Sequence, residues 1–123
     1  FGCGKVRIYY YFKNKLKNYI GIDINKNFKK YFNYSNTKFI SLDCRKIENL
    51  KKYLNSYDKN ILYFFNPFDD ELISNIINIF SQKKENLLVL VCCNTKINMS
   101  NYKFLYKKYF GSQNMNIFIL KKI

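Results

Sequence analysis

A chain of 123 residues holds one hydrophobic core, and its 48% apolar and 20% aromatic content excludes a disordered tail. The longest apolar runs, Ile61–Phe65 and Leu87–Cys93, fall far short of the ~20 residues that span a bilayer. The formal charge of +14 invites polyanion binding, but 20 of the 22 basic residues are Lys, spread from Lys5 to Lys122. A bias of the whole chain toward Lys, Asn and Ile accounts for that charge, so nucleic acid is admitted as a partner and not favoured.

In chain order, Lys5–Lys17 reads as a helix, although Tyr9–Phe12 is more β-prone than most helices. Tyr19–Asp23 reads as a strand, the period of Phe28, Tyr31 and Phe32 as a helix, and Lys38–Leu42 as a second strand. Ile47, Leu50, Tyr53 and Leu54 mark a further helix, followed by the strand Ile61–Phe65. In Asp70–Gln82 the set Leu72, Ile73, Ile76, Ile77 and Phe80 forms one apolar stripe, with Asp69 or Asp70 as its cap. Leu87–Cys93 and Asn116–Lys121 complete the strands, and Asn94–Asn101 is a polar loop. Tyr102–Tyr109 fits an amphipathic helix ended by Gly111, with Phe104, Leu105 and Tyr109 inward. Its lysines and rings also suit a stacking surface for single-stranded nucleic acid, a reading the helical spacing outweighs.

Strands and helices that alternate over short connections point to a single α/β domain over residues 1–123. The expected architecture is Rossmann-like: a doubly wound, mostly parallel sheet with helices on both faces. Its first strand would precede Phe1, so the chain on its own is expected to be aggregation-prone.

The chain opens Phe1-Gly2-Cys3-Gly4-Lys5, a G-x-G turn before a candidate helix. Glycines there let the backbone approach a ligand closely. Asp23 ends the next strand, 19 residues after Gly4, where a carboxylate accepts both ribose hydroxyls of a nucleotide cofactor. Asp23 also suits a cap for the segment that begins Asn25-Lys26, the lesser of the two readings. Asp43, at the end of the following strand, either meets an adenine amino group or caps the helix carrying Ile47 and Leu50.

Four cysteines, Cys3, Cys44, Cys92 and Cys93, form no C-x-x-C pair, and the chain has no His, which argues against a metal site. Reduced thiols and the lack of a signal-peptide pattern point to the cytoplasm.

The runs Phe1–Arg7, Tyr19–Ile24, Phe39–Cys44 and Ile61–Phe68 together resemble small bacterial class I S-adenosylmethionine-dependent methyltransferases. The resemblance implies methyl transfer from S-adenosylmethionine to an unidentified acceptor. It implies that Gly2, Cys3 and Gly4 wrap the methionine and ribose part of the cofactor. Asp23 would hold the ribose, and Asp43 with Cys44 would meet adenine. Asn66-Pro67-Phe68 is similar to the Asp/Asn-Pro-Pro-aromatic motif of amino-group methyltransferases, though shorter. It would line the acceptor side: Asn66 orients an amine, Pro67 fixes the turn and Phe68 stacks on a planar substrate. A strand-to-helix turn explains the same residues equally well. Two departures stand out: the third glycine position holds Val6, and the acid expected two residues before Gly2 would lie before Phe1. They motivate the rival reading of a catalytically degenerate nucleotide- or nucleic-acid-binding module. An NAD-type fingerprint is disfavoured, because Arg7 stands three residues after Gly4.

Overall fold

β-branched and aromatic residues concentrate in six segments, and each of them forms a strand in the computed structural model. The structure describes residues 2–3, 6–54, 59–65, 69–80, 85–91, 93, 96–110 and 115–123, and the side chains of 47, 52–54, 85 and 115 are left aside. Gly4, Asn66, Pro67, Phe68, Cys92 and Gly111 lie outside the described residues. Two compact units, 1–46 and 47–123, divide the chain.

The first unit contains α1 (Arg7–Phe12), β1 (Tyr19–Asp23), a 3-10 helix (Lys26–Tyr31) and β2 (Thr37–Ser41). The two strands pair in parallel, from Tyr19 opposite Thr37 to Asp23 opposite Ser41. Linked rings pack this unit: Tyr9 lies 5.0 Å from Tyr34 and 5.6 Å from Tyr19, and Phe32 lies 5.9 Å from Tyr19 and 5.2 Å from Phe39. The buried Tyr9 also anchors α1 by polarity, since its hydroxyl donates to Asn36 Oδ1 at 2.6 Å. Six residues are too few for a helix to persist alone, so α1 depends on this docking.

The second unit contains α2 (Ile47–Leu54), β3 (Lys59–Phe65), α3 (Asp70–Phe80), β4 (Glu85–Val91), β5 (Tyr102–Phe110) and β6 (Met115–Lys122). Its sheet runs in the order β3-β4-β6-β5. β3 and β4 are parallel, whereas β6 is antiparallel to both β4 and β5. Register sets Leu62, Leu88 and Leu120 in one row and Phe64, Leu90 and Phe118 in the next, all buried on one face. The stripe of α3 is equally buried, as its spacing requires. Asp69 caps that helix, its Oδ1 accepting from the Leu72 amide at 2.8 Å. Asn86, on the buried face, donates through Nδ2 to the Phe80 carbonyl and ties the helix end to the sheet.

The expected Rossmann-like doubly wound sheet is overturned. Strand outweighs helix, the strands form one parallel pair and one mixed four-stranded sheet, and the helices are few and short. The decisive segment is Tyr102–Phe110, expected as a helix and found as β5. Tyr102, Phe104, Tyr106, Tyr109 and Phe110 are strand formers, and pairing with β6 satisfies their backbone in a way that outweighs the helical spacing. A hairpin therefore replaces a crossover helix, and the sheet becomes mixed. The remaining strands match their sequence readings to within two residues at each end.

Candidate functional site

Parallel strands release their chain ends on one edge, and β1 and β2 end side by side at Asp23 and Ser41. The Leu42 amide continues the ladder by donating to the Asp23 carbonyl at 3.1 Å, which carries Asp43 and Cys44 alongside the end of β1. From the other direction the Cys3 amide donates to the Ile22 carbonyl at 3.3 Å. Gly2, just before it, holds φ 58°, the left-handed region where a side chain is disfavoured. Gly21 completes the approach. A Cβ there would stand 2.9 Å from Cys3 Sγ and 2.1 Å from Phe32 Cζ, so only glycine lets both side chains lie against the strand.

Gly2, Cys3, Asp23, Asp43 and Cys44 are thus brought to one edge. Electrostatics record the clustering: the Cys3 thiol senses Asp23 and Cys44, and the Cys44 thiol senses Asp43 and Asp23. Burial pushes both thiols up to about 11, and the neighbouring carboxylates add to the shift. Both are therefore neutral near pH 7, which suits packing and hydrogen bonding and not nucleophilic attack. Cys44 and Cys93 are buried and Cys3 is half-buried, and the Cys93 thiol donates to the Val91 carbonyl at 3.4 Å.

Asp23 does not cap the 3-10 helix. Asn25 does, its Oδ1 accepting from the Asn27 amide at 3.0 Å. Asp23 Oδ1 instead accepts from the Asn25 amide at 2.9 Å and shapes the turn that leaves β1. Asp43 is more fully engaged. Its Oδ1 accepts from Arg45 N at 3.0 Å and Arg45 Nε at 2.9 Å, and its Oδ2 from Arg45 Nη2 at 2.7 Å. The guanidinium beside it holds its carboxyl below the usual aspartate range.

Sequence reasoning missed two features here. Arg45 clamps Asp43, a pairing that no sequence signal fixes, because a surface Arg two residues on can as readily reach into solvent. Val6, fully buried, adopts φ 55° and ψ 26°, the left-handed region that β-branched residues rarely occupy. Gly4 and the segment Asn66-Pro67-Phe68 lie outside the described residues, the latter between β3 and α3 in the sequence. Among the described residues no cluster of three His, Cys, Asp or Glu is arranged to hold a metal ion, and no helix is long and apolar enough to cross a membrane.

Compared with known proteins, the chain matches no family model, no curated protein and no solved structure.

Proposed function

We propose that the edge formed by Gly2, Cys3, Asp23, Asp43 and Cys44 binds S-adenosylmethionine, and that the chain transfers its methyl group to an acceptor. The observation that carries the reading is the meeting of a left-handed glycine turn with carboxylates ending two neighbouring parallel strands. That arrangement is where parallel βαβ units take nucleotides.

The residues fit the group unevenly. The Gly2-Cys3 backbone beside Ile22 offers a close approach, and Asp23 supplies a charged acceptor for ribose hydroxyls. Asp43 fits less well, because Arg45 already occupies both of its oxygens. When bound, the cofactor supplies an electrophilic methyl on a sulfonium. The chain's part is to hold that group so that its methyl faces the acceptor.

Calorimetry with S-adenosylmethionine and its demethylated product tests the reading. Asp23→Ala is expected to weaken binding by about 1.5–3 kcal/mol, roughly 10- to 150-fold. Equal affinity in the variant, or no binding by the parent chain, overturns it. The Arg45 clamp on Asp43 and the strained Val6 favour a second reading, a cradle that binds cofactor without turnover. Cofactor binding that Asp23→Ala abolishes, with no methyl transfer across a panel of amine and nucleobase acceptors, is the result that selects it.

A further inference from the structure

We propose that β5, with its neighbour β6, is a binding surface for single-stranded nucleic acid. The surface lies in the second unit, and the proposal is independent of the methyltransferase reading.

β5 is an edge strand, and after the buried Tyr102 every residue from Lys103 to Phe110 is exposed. An edge strand normally buries alternate residues, so exposure on both faces is the first anomaly. Phe104 is 46% exposed and Tyr109 56%, large rings that folding alone does not require at the surface. Register and the irregularity between Phe104 and Tyr106 set Phe104, Lys107 and Tyr109 on one face, in line with the buried Phe118 and Leu120. Both rings meet Phe118 edge-on with centroids 5.7 Å away, which holds them at most about 11 Å apart. Between them sits Lys107, its Nζ 5.2 Å from each ring centroid. The other face repeats the pattern with Lys103, Tyr106, Lys108 and Phe110, the Lys108 ammonium 4.7 Å from the Phe110 ring. Ring, ammonium, ring is the order a single strand requires: bases stack on aromatic faces while lysines meet the phosphates between them.

The charge is local here, and not only a property of the whole chain. From Asn86 to Ile123 there are six lysines and no Asp or Glu. Lys103 stands directly opposite Lys121 across the β5–β6 ladder, a like-charge pair that weakens a hairpin unless an anion lies against it. Lysines along an edge strand also discourage the addition of a second copy there. A membrane is disfavoured by the interleaving. Neither face offers a ring cluster that can be immersed without burying the ammonium beside it. The helix that would have turned Phe104, Leu105 and Tyr109 inward does not form, and with it goes the reason to prefer solvated lysines over a stacking surface.

The test is fluorescence anisotropy of a labelled oligothymidylate titrated with the whole chain, without cofactor, at ~0.15 M salt and across a salt series. Binding is expected, and Tyr109→Ala and Phe104→Ala are each expected to weaken it about tenfold. Tyr109→Phe is expected to bind as the parent does. Tyr109→Ile keeps strand propensity without a ring and is expected to match Tyr109→Ala, which separates stacking from folding. Lys107→Gln and Lys108→Gln are each expected to lower the salt slope by about 0.7. No single-strand binding, equal affinity for a duplex of the same length, or ring variants that bind like the parent each overturn the proposal. So does capture by phosphatidylglycerol vesicles with no binding to the oligonucleotide.

Discussion

Val6 is the most exposed point of the site reading, because its backbone and its side chain make opposite demands. The side chain is fully buried, while φ of 55° is a conformation that β-branched residues resist, at about 1–2 kcal/mol. Val6→Ala removes two methyl carbons from a packed position and is expected to destabilise the fold by about 1–3 kcal/mol. Val6→Gly removes one carbon more, worth about 0.8 kcal/mol of burial, and loosens the unfolded chain by about 0.4–1 kcal/mol. At an ordinary buried position the glycine variant is therefore the weaker of the two by roughly 1–2 kcal/mol. At Val6 the left-handed strain is released only by glycine, and that release offsets the difference almost entirely. Urea unfolding monitored by circular dichroism, with ΔG extrapolated linearly, is the assay. The two variants are expected to agree within about 1 kcal/mol. A matched pair at Ile40, buried on β2 where no positive φ occurs, is expected to show the ordinary penalty for glycine. A Val6→Gly protein less stable than Val6→Ala by as much as the Ile40 pair differ would refute the left-handed turn at Val6.

Gly21→Ala would drive a Cβ to 2.1 Å from the Phe32 ring and 2.9 Å from Cys3 Sγ, and a loss of about 1–3 kcal/mol is expected by thermal unfolding. Phe32→Leu in the same chain is expected to recover part of that loss, and strictly additive effects of the two substitutions would sink the contact. The raised thiol of Cys44 favours the folded state fully below its ordinary pKa near 9.0, and that contribution is lost as pH climbs through about 11. The decline in stability between pH 9 and 11 is therefore expected to be shallower in Cys44→Ala than in the parent chain, and parallel unfolding curves would contradict the burial of that thiol.

Where the sequence carried two signals that agreed, it was legible. Tyr19–Asp23 is apolar, β-branched and bounded by polar residues, and it forms β1 with the same limits. The stripe from Leu72 to Phe80 has helical spacing and an acidic start, and all five of its apolar residues are buried in α3. Tyr102–Phe110 carried signals that conflicted. Its spacing suits a helix, its rings suit a strand, and the choice falls to a partner, β6, that no local window contains. One wrong element was enough to misread the sheet, because a helix there implies a crossover and a strand implies a hairpin.

The site separates in the same way. That Asp23 and Asp43 follow neighbouring strand ends was legible, because backbone topology alone delivers them to one edge. The clamp on Asp43 was not, since whether a surface Arg folds back two residues or reaches into solvent is decided by local rotamers. Val6 shows the converse failure. Read as a string, Gly2-Cys3-Gly4-Lys5-Val6 departs from the glycine pattern at its third position. Val6 nevertheless holds a left-handed backbone, and Tyr9, one turn of helix onward, is held by Asn36 and the rings around it. Burial of Val6 and the docking of α1 together offset a strain of about 1–2 kcal/mol.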